Sequence, residues 1–165
     1  MWILKYQYVH DDCLYTKKAQ QLQIAVSTYP LNHFTKKNAF YVSALHLFEG
    51  EQPNIERFIR YITRRSDYAE RISNNMLFTL ISLQKNTSYY KLFYNPYVLY
   101  PVPILHKGGK EYIQIASWQR SRLATIITAL KKNKRTRFFD LLNFKEESLQ
   151  EMFLLNAIPS LTVQQ

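Results

Sequence analysis

The chain has 165 residues, of which 47% are hydrophobic and 15% aromatic. This length and composition allow one domain or two small ones, and they exclude an intrinsically disordered protein. The formal charge of +10 makes nucleic acid a candidate partner. A single cysteine excludes an internal disulfide and indicates a reducing, cytoplasmic environment. No apolar run reaches the roughly 18 residues of a membrane span, so we expect no membrane partner. The first ten residues, MWILKYQYVH, alternate instead of forming an apolar block, so we expect no signal peptide.

The first half of the chain predicts a strand, a brief helix, two more strands, a long helix and a fourth strand. The segments are, in that order, WILKYQYVH, DDCLYTKKAQQ, QIAVSTYPLNHF, NAFYVSALHLF, NIERFIRYITRR and YAERISN. Most of the strand segments alternate apolar and polar residues, which is typical of half-buried strands. In the long helix, apolar residues recur from Ile55 to Ile62 at helical spacing, and Pro53 suits its first turn.

The second half predicts the same order of elements. The segments are MLFTLISLQ, KNTSYYKLFYN, YVLYPVPILH, EYIQIAS, RLATIITALKKN and RTRFFDLLNF. Gly108 and Gly109 supply the positive φ that a tight hairpin between the third and fourth segments requires. Pro101 and Pro103 indicate an edge position or a bulge in the third segment, because proline cannot donate a ladder hydrogen bond.

The repeated order β, α, β, β, α, β is that of the ferredoxin-like domain. We therefore predict an α+β fold of tandem ferredoxin-like units with antiparallel sheets, covering residues 1–74 and 75–145. Helices are expected to cover one face of each sheet. Residues 146–165 are predicted to contain a C-terminal linking helix followed by a helix start, since Thr162 and Gln165 have the spacing of a capping box.

The richest polar stretch, His10 to Cys13, lies where the first strand ends. His10 continues the alternation that places Trp2, Leu4, Tyr6 and Tyr8 on one face, so it points towards the predicted core. Its imidazole, the Asp12 carboxylate and the Cys13 thiol suit an effector or a metal. Zinc is the metal that these donors favour, with His33 or His46 completing the set. The alternative is a structural role, with an Asp helix cap, a buried thiol and a hydrogen-bonded histidine.

The densest basic run is KKNKRTR, which follows the second long helix. Its cations could contact phosphates without sequence preference; they are Lys131, Lys132, Lys134, Arg135 and Arg137. The alternative is that they favour the negative end of the helix dipole and lie in solvent.

Catalytic motifs are not evident, and we expect no enzyme. Ser117 and Ser121 have no adjacent histidine, and His10 and Cys13 do not form a recognised catalytic pair. The two glycines of KGGK lack the spacing of a phosphate-binding loop. RNA recognition by the sheet is disfavoured, because KGGKEYIQIA lacks the aromatic spacing of the stacking signature.

Five segments carry a resemblance to a known family. They are VHDDCLYT, YPLNHF, YVSALHLFEGE, FYNPYVLYPVPILHKGGKEYIQIASWQRSRLATII and IPSLTVQQ. The chain resembles the archaeal bacterio-opsin-activator-like family of helix-turn-helix transcription regulators over nearly its whole length. In that family a Leu-Thr pair opens the C-terminal DNA-binding domain, so Leu161 and Thr162 are expected to begin a helix-turn-helix that continues beyond residue 165.

The resemblance implies the sensory and assembly region of a DNA-binding transcription regulator. His10, Asp12 and Cys13 match a recurring His-x-x-Cys stretch of the family, which favours a functional role for them. The expected partners are DNA, through the helix-turn-helix, a small-molecule effector, and a second copy of the chain. A homodimer is expected because operator-binding proteins usually pair to match two half-sites. The alternative is a stand-alone ACT-like small-molecule-binding module without a DNA partner.

Overall fold

The computed structural model describes residues 1–36, 39–83 and 87–148. These residues form eight strands and four helices. The elements are β1 (Trp2–His10), α1 (Thr16–Gln21), β2 (Ala25–Lys36), β3 (Ala39–Glu49), α2 (Gln52–Thr63), β4 (Tyr68–Ser73), β5 (Met76–Leu83), α3 (Thr87–Phe93), β6 (Ile104–Lys107), β7 (Lys110–Ser117), α4 (Arg120–Lys132) and β8 (Thr136–Glu146). The predicted order of elements is thus present.

The described strands form one antiparallel sheet in the order β4-β5-β3-β2-β6-β7-β1-β8. This order is symmetric about the central pair of β2 and β6, where Ser27 faces Leu105. Moving outward from that pair, β3 matches β7, β5 matches β1, and β4 matches β8. Matched strands hold the same place in the two successive β, α, β, β, α, β segments. The chain is therefore internally repeated in strand order as well as in element order.

The first strand of each segment lies in the opposite half of the sheet. β1 pairs with β7 and β8, whereas β5 pairs with β3 and β4. Residues 1–74 and 75–145 consequently share one sheet, and the expectation of a separate sheet for each of them is corrected. The α+β class with antiparallel strands is confirmed, and the division into tandem ferredoxin-like units stays a prediction.

The four described helices pack against the same face of the sheet, above two apolar cores. In one core, Phe58 and Ile62 of α2 pack with Val26 and Phe48 of β2 and β3. The other core combines buried side chains of α4 with those of β1 and β7, including Leu123, Leu4 and Ile115. None of the described helices is long and apolar enough to cross a membrane.

Proline shortens one predicted strand. The segment YVLYPVPILH contributes only Ile104–Lys107 to the sheet, as β6, and an isolated bridge from Leu99 to Ala116. Pro101 and Pro103 interrupt the ladder because proline has no backbone N–H to donate. The hairpin that follows β6 is confirmed, since Gly108 and Gly109 have φ values of 58° and 76°.

The predicted end of the chain lies largely outside the described residues. β8 continues to Glu146, so the first residue of the predicted linking helix belongs to a strand. The rest of that helix beyond residue 148, and the capping box at Thr162 and Gln165, lie outside the described residues.

The exchange of first strands predicts that neither half folds alone. Among the described strands of residues 1–74, only β2 and β3 pair with each other, because β1 and β4 pair with strands beyond residue 74. We expect a fragment of residues 1–74 to lack a cooperative unfolding transition in urea, and addition of a 75–165 fragment to restore one. A sigmoidal transition for residues 1–74 alone, at a concentration where it is monomeric, would contradict the pairing.

Candidate functional site

Polar side chains gather where β1 ends, near the middle of the helix-covered face. We call this set the central cluster; it consists of His10, Cys13, Thr16, His106 and Glu111. The register of the sheet brings these side chains together. Glu111 on β7 pairs with His106 on β6 and with Tyr8 on β1, and His10 lies two residues beyond Tyr8 on the same face.

His10 binds a carboxylate on each side of its ring. Its Nδ1 lies 2.6 Å from Asp12 Oδ1, and its Nε2 lies 3.0 Å from Glu111 Oε1. Glu111 is only 5% exposed, so its negative charge requires partners inside the protein. His10 therefore anchors a buried carboxylate to the end of β1.

The Thr16 hydroxyl lies among three other members of the central cluster. Its Oγ1 is 3.1 Å from Cys13 Sγ, 3.1 Å from His106 Nδ1 and 3.2 Å from Glu111 Oε1. Cys13 Sγ also accepts a hydrogen bond from the Thr16 backbone N–H at 3.4 Å, and lies 3.9 Å from His106 Nδ1. These contacts hold the first residue of α1 over the β6–β7 hairpin.

His106 is paired through only one of its nitrogens. The residue is 3% exposed, and no described residue offers a hydrogen-bond partner to its buried Nε2. An unpaired buried ring nitrogen is costly, and such atoms in native structures commonly mark a place for water or an ion.

The charges of the central cluster favour an ion pair. Burial would lower the pKa of His10, but its interactions with Cys13 and Glu111 outweigh burial and raise the pKa to about 12. Burial would raise the pKa of Glu111, but the hydrogen bond with His10 and the positive charge of His106 lower it. Burial likewise opposes ionisation of the Cys13 thiol, while its hydrogen bonds with His10 and His106 lower the pKa. The cluster thus favours a cationic His10 and an anionic Glu111.

A cavity of about 130 Å³ adjoins the central cluster. Its polar wall includes His10, Cys13, His106 and Glu111, and the remainder is mostly apolar, with side chains from β3, β5 and α3. This combination of an apolar lining and a few convergent polar groups is typical of small-ligand sites, although the cavity is smaller than those that hold drug-sized molecules.

Two ion pairs attach the loop after β1 to β8. Asp12 binds Arg135, and Asp11 lies 2.8 Å from Arg137 Nε. Asp12 therefore contacts His10 and Arg135, and the residue before α1 makes no side-chain capping bond. Of the five cations predicted to contact phosphates, Arg135 and Arg137 are engaged with these aspartates, whereas Lys131, Lys132 and Lys134 are exposed.

His46 lies on β3, in the other half of the sheet, and its environment differs from that of the central cluster. Its two ring nitrogens pair with the hydroxyls of Thr28, at 3.1 Å, and Thr79, at 2.8 Å. Burial lowers the pKa of His46 to about 3, so the ring is neutral. Its ring lies 5.1 Å from that of Tyr15, which is equally close to the ring of His106.

His33 lies apart from the central cluster. Its ring contacts Phe40 and Tyr94, at centroid distances of 5.6 and 6.4 Å. Of the five residues predicted to form the site, the structure brings together His10, Asp12 and Cys13. The cluster is completed by His106, Glu111 and Thr16. The sequence-based prediction had assigned that role to His33 or His46.

No protein-family model matches the sequence. No curated protein matches it either. The residues of the site are therefore the main evidence for what it does, and the family resemblance stays a prediction.

The donor set limits the chemistry of the central cluster. Two imidazoles, a thiol and a carboxylate can coordinate a transition metal, and the ligand atoms of His10, Cys13 and Glu111 all lie within 4.8 Å of one another. The same groups can hydrogen-bond a small polar molecule in the adjoining cavity. The geometry consequently supports binding at this position.

The neutral state of His46 predicts a pH effect on stability. In the unfolded chain His46 becomes protonated below its ordinary pKa of 6.5, whereas in the folded protein it stays neutral down to about pH 3. His46 therefore removes stability as the pH falls below 6.5, by about 2 kcal/mol between pH 7 and pH 5, while the raised pKa of His10 acts in the opposite direction. Urea unfolding at both pH values should show that acidification is about 2 kcal/mol less destabilising for His46→Gln than for the wild type.

The matched control is His33→Gln, which replaces a half-buried histidine elsewhere in the chain by the same residue. Equal changes of stability with pH in the wild type and in His46→Gln would show that His46 is not held neutral in the folded protein.

Proposed function

We propose that this chain is the sensory and assembly region of a DNA-binding transcription regulator, and that the central cluster receives its effector. The observation that carries the sensory part is the buried set of donors beside a cavity, with His106 Nε2 left unpaired by the described residues. The regulatory part rests on the family resemblance of the sequence.

A route for the signal supports this function. The loop that carries Asp11, Asp12 and Cys13 is tied by ion pairs to Arg135 and Arg137 at the start of β8. β8 runs from there towards the C-terminal segment, where the helix-turn-helix is expected. An effector that moves this loop would shift the populations of β8 positions and of whatever follows it.

Assembly is supported by the sheet face opposite the helices. Tyr112 and Phe138 are 36% and 38% exposed, and the alternation of their strands places them on that face. Exposed aromatic side chains of this kind are common at protein interfaces. Homodimerisation stays a prediction.

The rival function, a stand-alone ACT-like sensor, uses the same cavity without a DNA partner. The two functions differ in what the protein contacts in the cell. We therefore expect crosslinking of the protein, expressed from its own gene and followed by sequencing of the attached DNA, to give discrete promoter peaks. A profile identical to that of an untagged strain would reject the regulator and favour the stand-alone sensor.

The 165-residue chain alone should bind DNA weakly and without sequence preference. Lys131, Lys132 and Lys134 can neutralise about three phosphates, so log K should fall against log salt with a slope of about −3. Titration of two unrelated duplexes at low and physiological salt tests this. Replacing the three lysines with Gln should reduce the slope to near zero, whereas the same change at the exposed Lys17, Lys91 and Lys107 should preserve it.

A preference for one duplex that persists at physiological salt would contradict the prediction that these lysines bind DNA only through phosphates. It would mean that residues 1–165 themselves recognise base sequence.

A further inference from the structure

We propose that the central cluster is a Zn²⁺ site whose ligands are His10 Nε2, Cys13 Sγ, Glu111 Oε1 and His106 Nδ1. The inference rests on the proposed function in that it names the effector of the same site. It replaces the sequence-based ligand set, in which His33 or His46 was to complete the site.

Three of the four donor atoms, those of His10, Cys13 and Glu111, lie within 4.8 Å of one another, and His106 Nδ1 lies beside Cys13 Sγ. Around a tetrahedral zinc, neighbouring nitrogen and oxygen ligands are ~3.3 Å apart, and nitrogen and sulfur ligands ~3.6 Å apart. His10 Nε2 is 3.0 Å from Glu111 Oε1, and Cys13 Sγ is 3.9 Å from His106 Nδ1. Shifts of a few tenths of an ångström would bring these two pairs to the required distances.

The Thr16 hydroxyl contacts three of the four proposed ligands. It lies 3.1–3.2 Å from Cys13 Sγ, His106 Nδ1 and Glu111 Oε1, so these three donors already point to a common position. Zinc binds its ligands at 2.0–2.3 Å, so metal entry would turn this hydroxyl aside while the donors shift by a few tenths of an ångström. Because Thr16 begins α1, the loss of its hydroxyl contacts would change how the helix is held over the β6–β7 hairpin.

The surroundings of His10 are those of a metal ligand. A ligating histidine usually donates its second ring N–H to a carboxylate, which fixes the ring and its tautomer. Asp12 Oδ1 is 2.6 Å from His10 Nδ1, and Arg135 binds the other oxygen of Asp12. This arrangement leaves His10 Nε2 directed at the remaining donors.

Two features favour a metal over a simple ion pair. First, a thiol lies beside an imidazole and a carboxylate, and the donor atoms of His10, Cys13 and Glu111 lie within 4.8 Å of one another. Second, the charges balance, since a thiolate and a carboxylate together neutralise Zn²⁺ inside a site that is otherwise costly for a charge. The mixture of sulfur, nitrogen and oxygen donors suits zinc and disfavours magnesium or calcium.

Cobalt provides a direct test with the full 165-residue chain, after a chelator has removed bound metal. Co²⁺ should bind at one equivalent and give the visible bands of tetrahedral coordination together with a thiolate-to-metal charge-transfer band. Since Cys13 is the single cysteine, that last band can arise from no other residue of the chain. Zn²⁺ should displace Co²⁺ and, at about 100 times its Kd, raise Tm by ~5–10 °C.

Substitutions test which side chains coordinate the metal. Glu111→Gln and His106→Gln should each weaken Co²⁺ binding at least tenfold, and Cys13→Ser should abolish the charge-transfer band. Asp12→Asn, which changes a positioning residue, should weaken binding about 10–100-fold while keeping both sets of bands. His33→Gln and His46→Gln are the matched controls and should leave the Co²⁺ affinity unchanged.

The wild-type spectrum alone can overturn the inference, whether or not each variant folds. A protein that shows no thiolate charge-transfer band at saturating Co²⁺ has no metal site at Cys13. Metal binding without promoter occupancy in cells would keep the zinc site and reject the regulator. Promoter occupancy without metal binding would reject the zinc site and keep the regulator.

Discussion

The structure depends on the burial of the Glu111 carboxylate. A charge that is 95% removed from solvent is unfavourable unless other groups bind it, and here His10 and Thr16 do so from two different elements. Each partner also makes further hydrogen bonds: His10 with Asp12, and Thr16 with Cys13 and His106. One carboxylate thereby fixes the end of β1, the start of α1 and the β6–β7 hairpin relative to one another.

The exchange of first strands makes this contact available. The place beside β3 is held by β5, the first strand of the second segment, whose Thr79 contacts His46. β1 lies beside β7, next to Glu111. One half of the sheet therefore holds a neutral, hydroxyl-bonded histidine and the other an ion pair, and only the second is suited to binding a cation.

Sequence patterns identify the elements better than their partners. Alternation and helical spacing locate the strands and helices, but a period of two does not specify which strand lies alongside, so the sequence does not predict the exchange. His10 and Cys13 are recognisable because they are neighbours in the chain. Glu111 and His106 lie about a hundred residues away, yet a signal exists: Glu111 continues the alternation of Ile113 and Ile115, and a carboxylate in a buried register requires a partner.

The exchanged strand also affects how the chain is made. On a ribosome β1 emerges before both strands that flank it, and Trp2 can pair with Ser117 only after more than a hundred further residues have been translated. Contacts of such long sequence separation form slowly, because the loop must close before pairing can stabilise it. An apolar strand that waits for its partners is prone to aggregation, as are other unpaired edges. β1 therefore stays without its neighbouring strands until the opposite half of the sheet has been synthesised.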